Sequence, residues 1–403
     1  MFKYIKDQLV LEQGESILHL EDLAQKEKTP FYIYDLEGMK AWYQEFLNQT
    51  SDQLKVYFAM KANSNKHVLK TFNSLGSGVD VVSGGEARLA EEVGFAPEKI
   101  IFSGVAKSEE ELEMAISKNF FQINVESFEE LQRIIQISKK LKKQAVIGLR
   151  LNPNVDFESH PYIKTGLVGH KFGIDKQDLP QILQLIRLHK KEIQFQGLSM
   201  HLGSQIFDLN PLYQAIRNIK NIFEDLKKEF ISLKVLDIGG GLGVDYSKKD
   251  FESDKLLLKK FGENFQTLFT GFPGEILIEP GRFLVARFGL LCSKIEYVKK
   301  TYNKKFIILN SGMNHFLRPA LYKSRHRVLP FSLNFNQKSE FYDVVGPICE
   351  TGDTFVEKYP LTPVKSGDWL AIADAGAYGY VMSNSYNLQI PVKEICFKSG
   401  KKL

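Results

Sequence analysis

Lys61 ends a run of strand-type residues, VYFAM, which carries its side chain to the mouth of whatever sheet that strand joins. Partial desolvation there lowers the pKa of an amine and favours the free base, the state in which lysine forms a Schiff base with a carbonyl compound. A single lysine in a loop is ordinarily just solvated, but here further polar residues follow at the ends of other apolar runs. Asp80 lies in GVDVV just before Ser83, Arg150 ends AVIGLR, and His201 ends QFQGLSMH with Ser204 shortly after. Gly239, Gly240 and Gly241 follow VLDI, and such a run lets backbone N–H groups approach a phosphate closely. Glu279 closes EILIE ahead of Pro280, Gly281 and Arg282. A carboxylate in that position can pair with a protonated ring nitrogen and keep a heterocyclic cofactor electron-withdrawing. The imidazole of His201 can stack on a flat ring while Ser204 reaches its phosphate. Each has a plainer alternative: a loop-bracing carboxylate–arginine pair, a satisfied core histidine, a tight barrel turn.

These residues need strands to position them. Strand-like runs occur at Lys55–Met60, Val79–Val82, Ile100–Phe102, Phe121–Val125, Ala145–Arg150, Gln196–His201, Val235–Ile238 and Ile276–Glu279. Helical patterns separate them, as in Ser127–Leu141, where Phe128, Leu131, Ile134, Ile135 and Ile137 recur at near-helical spacing. Eight strands alternating with helices predict a (β/α)8 barrel of roughly 250 residues, whose chemistry sits at the carboxyl ends of its strands. All the polar residues named above fall at that rim. Before the barrel comes FYIY (Phe31–Tyr34), and after it come FIILN (Phe306–Asn310), FYDVV (Phe341–Val345) and WLAIAD (Trp369–Asp374). No helical period joins the later runs, so they predict a mostly antiparallel β domain. The expected division is an amino-terminal segment 1–34 joining the β domain, a barrel 35–284 and a β domain 285–403.

At 403 residues, 43% hydrophobic and 25% charged, the chain has the size of two domains and an ordinary globular composition. The net charge of +5 is small, and the densest basic run, Lys139–Lys143, reads as a solvated helix end. Nothing gathers basic and aromatic residues as nucleic-acid binding would require. The three cysteines, Cys292, Cys349 and Cys396, lack metal-ligand spacing and suit a reducing compartment. Charges interrupt the amino-terminal residues where a secretory signal is apolar, and no segment is long enough to span a bilayer, so a cytoplasmic protein is expected. LDIGGGLGVDY looks like a dinucleotide fingerprint, but YSKKDFESDK after it opens no apolar-periodic helix immediately.

The blocks VYFAMKANSN, GVDVVSGGE, INVES, LRLNPNV, HPYIKTGL, HKFGID, HLGSQI, LDIGGGLG, IEPGR, GMNHFLRPALY, VVGPICETGD and DAGAYGYVMS, in this order, resemble the fold type III pyridoxal-phosphate enzymes, the alanine racemase-like group, and in particular the diaminopimelate decarboxylase family. The resemblance covers nearly the whole chain. It implies pyridoxal 5′-phosphate on Lys61 and decarboxylation of meso-2,6-diaminopimelate to L-lysine and carbon dioxide, the last step of lysine biosynthesis. Carried over by position, His201 would stack on the cofactor. Ser204, Gly240, Gly241 and Tyr378 would hold its phosphate, with Gly281 and Arg282 beside it. Glu279 would pair with the ring nitrogen, and Arg150 and Asp80 would lie near the ring and the lysine. Arg282, Arg318, Tyr322, Glu350 and Tyr378 would bind substrate, and Cys349 would act as proton donor. The family completes its site across a homodimer interface, so Cys349 and Glu350 would come from the neighbouring subunit.

The chain departs from the family pattern at NSGMNHF, where an aspartate commonly opens the block, at FSGVAKS and at SNSYN. An amino-acid racemase of this fold would carry an arginine at the ring nitrogen and a second tyrosine base, against which Glu279 and ICETGD speak. Decarboxylases of ornithine, arginine or carboxynorspermidine share the barrel, but RPALY and GPICE favour a substrate with a carboxylate at its far end. A catalytically silent partner-binding homologue would be expected to lack the lysine or the phosphate-binding residues, and this chain has both.

Overall fold

The computed structural model describes residues 1–27, 30–51, 53–155, 171–248, 251–334 and 336–403. Of the family-like blocks, HPYIKTGL and the first residue of HKFGID lie outside the described residues. The chain divides into two compact units, one made of Gln44–Gly243 and Asp254–Gly281, the other of Met1–Tyr43, Val244–Ser253 and Arg282–Leu403.

The first unit is a closed barrel of eight strands: β1 (Leu54–Ala59), β2 (Gly78–Val81), β3 (Ile100–Phe102), β4 (Gln122–Val125), β5 (Ala145–Arg150), β6 (Ile193–Ser199), β7 (Val235–Asp237) and β8 (Glu275–Ile278). Every pairing is parallel, and β8 closes on β1 through Ile276–Leu54, Leu277–Lys55 and Ile278–Val56. Burial of these strands on both faces explains why they read as continuous apolar runs. All eight expected strands are present. The largest displacement is in β6, which starts before Gln196 and stops at Ser199, leaving His201 in the loop beyond the last ladder pair.

Apolar packing in the barrel includes Tyr57, Ile101, Val235 and Leu277. A polar ladder runs beside it: buried Gln122 donates to Asn124 Oδ1 at 2.8 Å, and Asn124 donates to Ser103 Oγ at 3.1 Å. Gln122 takes the space that side chains at Gly148 and Gly197 would need. The helix expected from Ser127 spans Phe128–Leu141, with the Ser127 hydroxyl accepting from Glu130 N–H at 3.1 Å as its cap. Its face Leu131, Ile134, Ile135 and Ile137 is buried, and the lysines at its end are exposed.

The second unit centres on the long strand Gly289–Lys300, which pairs antiparallel with Phe31–Asp35, Lys305–Leu309 and Trp369–Ile372. Two parallel pairings interrupt the pattern, Phe31–Asp35 with Lys393–Lys398 and Lys305–Leu309 with Glu340–Val345. Phe31, Ile33, Leu290, Cys292, Trp369, Ala371 and Phe397 form its apolar core. Phe2–Ile5, Gln8–Gln13 and Ser16–His19 make a separate three-stranded sheet. Among the described residues no helix is long and apolar enough to cross a membrane.

Candidate active site

Lys61 sits in a single 3₁₀ turn, Met60–Ala62, immediately after β1. Its Nζ stands 2.7 Å from Asp80 Oδ2, a fully buried carboxylate that the pairing of Ala59 with Asp80 brings alongside. Lys61 lines a cavity of about 410 Å³ together with Ser103, Asn124, Arg150, His201 and Glu279.

Arg150 at the end of β5 is aimed by Glu126, whose Oε1 lies 2.7 Å from its guanidinium and whose other oxygen accepts from Gly173 N–H at 2.9 Å. Glu126 also accepts from Gly104 N–H at 3.2 Å, so one buried carboxylate ties three loops of the rim together. Removing one partner of a buried pair leaves an uncompensated charge. Glu126→Ala is therefore expected to lower stability by about 3 kcal/mol and to weaken cofactor binding, read from urea midpoints and from cofactor titration. An unchanged midpoint would show that Arg150 is held by other means.

His201 accepts from Gly240 N–H through Nδ1 at 3.3 Å. Burial, with the charges of Arg150 and Lys61 nearby, pushes its pKa well below the ordinary histidine value, so the ring is a neutral imidazole. The glycine loop is closely packed. Gly241 has φ +115 and would drive a Cβ to 2.5 Å from the Gly203 carbonyl, and a Cβ at Gly240 would strike the Glu279 carbonyl. Ile206 N–H donates to Gly241 O at 2.9 Å, which brings the segment carrying Ser204 against the loop. Gly281 packs on Ala59 and Ala62, beside the lysine turn.

Glu279 is 9% exposed and lies against Asp237, the last residue of β7, which is completely buried. Burial foremost, then the charges of Asp237 and Asp80, push Glu279 well above the carboxylate range, and burial pushes Asp237 up to about 6.

The second unit gathers a different set. Arg282 is stacked on the Tyr378 ring at 4.7 Å and donates to the Tyr246 hydroxyl at 2.9 Å. Arg318, only 3% exposed, stacks on Tyr246 at 4.9 Å and Tyr322 at 5.8 Å and donates from Nε to His326 at 3.3 Å. The other ring nitrogen of His326 is 2.8 Å from the Ala373 carbonyl. Burial, with Arg318 beside it, depresses the His326 pKa strongly and keeps it neutral. Tyr378 adopts φ +54, uncommon for a bulky residue. Cys349 and Glu350 lie on the exposed turn before Thr354–Leu361, where Asn387 Oδ1 accepts from Cys349 N–H at 3.2 Å and the Tyr386 hydroxyl donates to Glu350 at 2.6 Å.

Thus Lys61, Asp80, Arg150, His201, Ser204, Gly240, Gly241, Glu279 and Gly281 come together at the barrel rim, and Arg282, Arg318, Tyr322 and Tyr378 cluster in the second unit. Sequence reasoning did not single out Asp237, Glu126, Tyr246 or His326. Asp237 and Glu126 did carry a signal, each being a charged residue on or next to an otherwise apolar strand.

A lysine at a barrel rim, with a glycine loop and a buried carboxyl on neighbouring strand ends, suits one class: the chain belongs to the pyridoxal-dependent decarboxylases, whose pyridoxal-binding domain matches residues 36–286. Its relatives narrow the class to diaminopimelate decarboxylases. The protein of that name from Helicobacter pylori strain J99 is 38% identical over 391 residues, covering 96% of this chain and 94% of its own. That from Aquifex aeolicus is 36% identical, covering 94% and 89%. The crystal structure of diaminopimelate decarboxylase from Helicobacter pylori complexed with L-lysine superposes with a TM-score of 0.89 at 36% identity, covering 96% of this chain and 95% of that one.

The rim suits the family's cofactor. Lys61 brings to the cavity an amine of the kind an aldehyde cofactor needs, and Gly240 and Gly241 pack so closely on Glu279 and Gly203 that only backbone fits there. Glu279 Oε1 is a buried acceptor with no donor in the protein, the complement of a protonated ring nitrogen.

Proposed function

We propose that this enzyme decarboxylates meso-2,6-diaminopimelate to L-lysine and carbon dioxide. The observation that carries the reading is Arg318, a cation buried among neutral groups, His326, Tyr246 and Tyr322, and pulled below its usual pKa by burial foremost, with the Arg282 charge nearby. A buried guanidinium in such company calls for an anion, and the distal carboxylate of the substrate supplies one. Arg282, Tyr322, Tyr378 and Glu350 complete the grip on the distal ammonio-carboxylate.

Lys61 would hold pyridoxal phosphate, Ser204, Gly240, Gly241 and Tyr378 would hold its phosphate with Gly281 and Arg282 beside it, and His201 would stack on its ring. Neutral His201 does so without adding charge. Glu279 would pair with the ring nitrogen, and Arg150 and Asp80 would lie near the ring and the lysine. When bound, the cofactor supplies an electron sink for the carbon that loses carbon dioxide. The protein holds the departing carboxylate away from cations while the far end is clamped. Cys349 Sγ then delivers a proton to that carbon. Cys349 and Glu350 act from the partner subunit of a homodimer.

Carbon dioxide release from meso-, L,L- and D,D-diaminopimelate, lysine, ornithine and arginine tests the reading. Lysine, ornithine and arginine should turn over poorly beside diaminopimelate, because substrates without a distal ammonio-carboxylate leave Arg318 unpaired. Arg318→Ala should raise KM for it by about a hundredfold, the scale of a lost charge-assisted pair, with cofactor affinity unchanged. Equal activity on ornithine would refute the assignment.

A further inference from the structure

Asp237 is a residue to which the family resemblance assigns no part. It closes β7, and its Oδ1 accepts from Gly239 N–H at 2.9 Å, which braces the first turn of the glycine loop. The register pairs Asp237 with Leu277 on β8, and Glu279 follows two residues later, just past the end of that strand. Gly239 O in turn accepts from Glu279 N–H at 2.8 Å, so the two acidic residues are locked together through the backbone as well.

Two side-chain oxygens here are buried acceptors without a donor, Asp237 Oδ2 and Glu279 Oε1. Two adjacent, water-excluded carboxylates repel each other, and a proton held between them removes the repulsion and satisfies both acceptors. We propose that Asp237 and Glu279 hold one proton between them, and that it passes from Glu279 to Asp237 when the ring nitrogen of the cofactor arrives. Asp237 is then a positioning residue: as the acid it donates to Glu279, which meets the ring nitrogen as a carboxylate. The proton count of the pair is the same before and after, so the pair takes nothing from solvent and carries one negative charge throughout.

The surrounding charges fit a single negative charge. Asp80 is engaged by Lys61 at 2.7 Å and Arg150 by Glu126 at 2.7 Å, while His201 is neutral. The upward shifts of both acids, from burial and from each other, run in the same direction. The inference rests on the assignment of Glu279 to the ring nitrogen.

Infrared spectra of the full-length enzyme, with cofactor and after its removal, test it. One carboxylic-acid C=O band assignable to the pair should be present near neutral pH in both forms. In the stripped protein Glu279→Gln should abolish it. In the holoenzyme Asp237→Asn, whose amide donates in place of the acid, should abolish it while cofactor affinity stays within a few-fold. Asp237→Ala should weaken cofactor binding at least tenfold, and should that variant fail to fold, the wild-type and Asp237→Asn spectra decide alone. Absence of the band from the wild-type protein, or its survival in both Glu279→Gln and Asp237→Asn, overturns the shared proton. The underlying assignment fails separately, if Glu279→Gln leaves cofactor affinity and the cofactor's absorption spectrum unchanged.

Discussion

Lys61→Ala is expected to lower decarboxylation by about three orders of magnitude or more, the scale of losing a positioned reactive group. Cofactor should still enter the cavity, because His201, the glycine loop and Glu279 remain, but borohydride should no longer fix it to the chain. In the unaltered enzyme borohydride should remove the visible absorption band and leave its label on Lys61. The 2.7 Å contact with Asp80 adds a second expectation. Removal of the lysine strands a completely buried carboxylate, so the variant should also lose some stability when empty. A variant that kept its borohydride-sensitive band would place the reactive amine elsewhere.

Mixing two inactive proteins is expected to restore activity. Lys61→Ala and Cys349→Ala subunits, each nearly inactive alone, should on random exchange give about one quarter of the wild-type activity, since half of the dimers are hybrids and each hybrid regains one intact site. Cys349 and Glu350 stand exposed on their own subunit, held by Asn387 and Tyr386, as a turn offered to a second chain would be. Absence of rescue with hybrid formation verified would make each subunit self-sufficient.

The barrel was legible because its strands are short, apolar and evenly separated by amphipathic helices, and because polar residues stand where such a strand ends. Lys61, Arg150 and Glu279 were visible that way. What sequence reasoning missed depends on pairing across strands. Asp237 becomes the neighbour of Glu279 only through the register of β7 with β8, and Glu126 reaches Arg150, Gly104 and Gly173 only once the rim closes. His326 carries no periodic or motif signal, and its part is evident only from its contact with Arg318. The contact of Lys61 with Asp80 likewise follows from the pairing of their strands.

The strand Phe31–Asp35, buried at every position, pairs among the described residues with the strands Gly289–Lys300 and Lys393–Lys398. On a ribosome adding residues at about 10 per second, that greasy pentapeptide waits on the order of half a minute for its last neighbour. The barrel strands are meanwhile synthesised in spatial order and can zip as they emerge. Chaperone demand and misassembly during expression should therefore concentrate on the first forty or so residues and the tail, and shortening the carboxyl terminus should harm yield more than its few residues suggest.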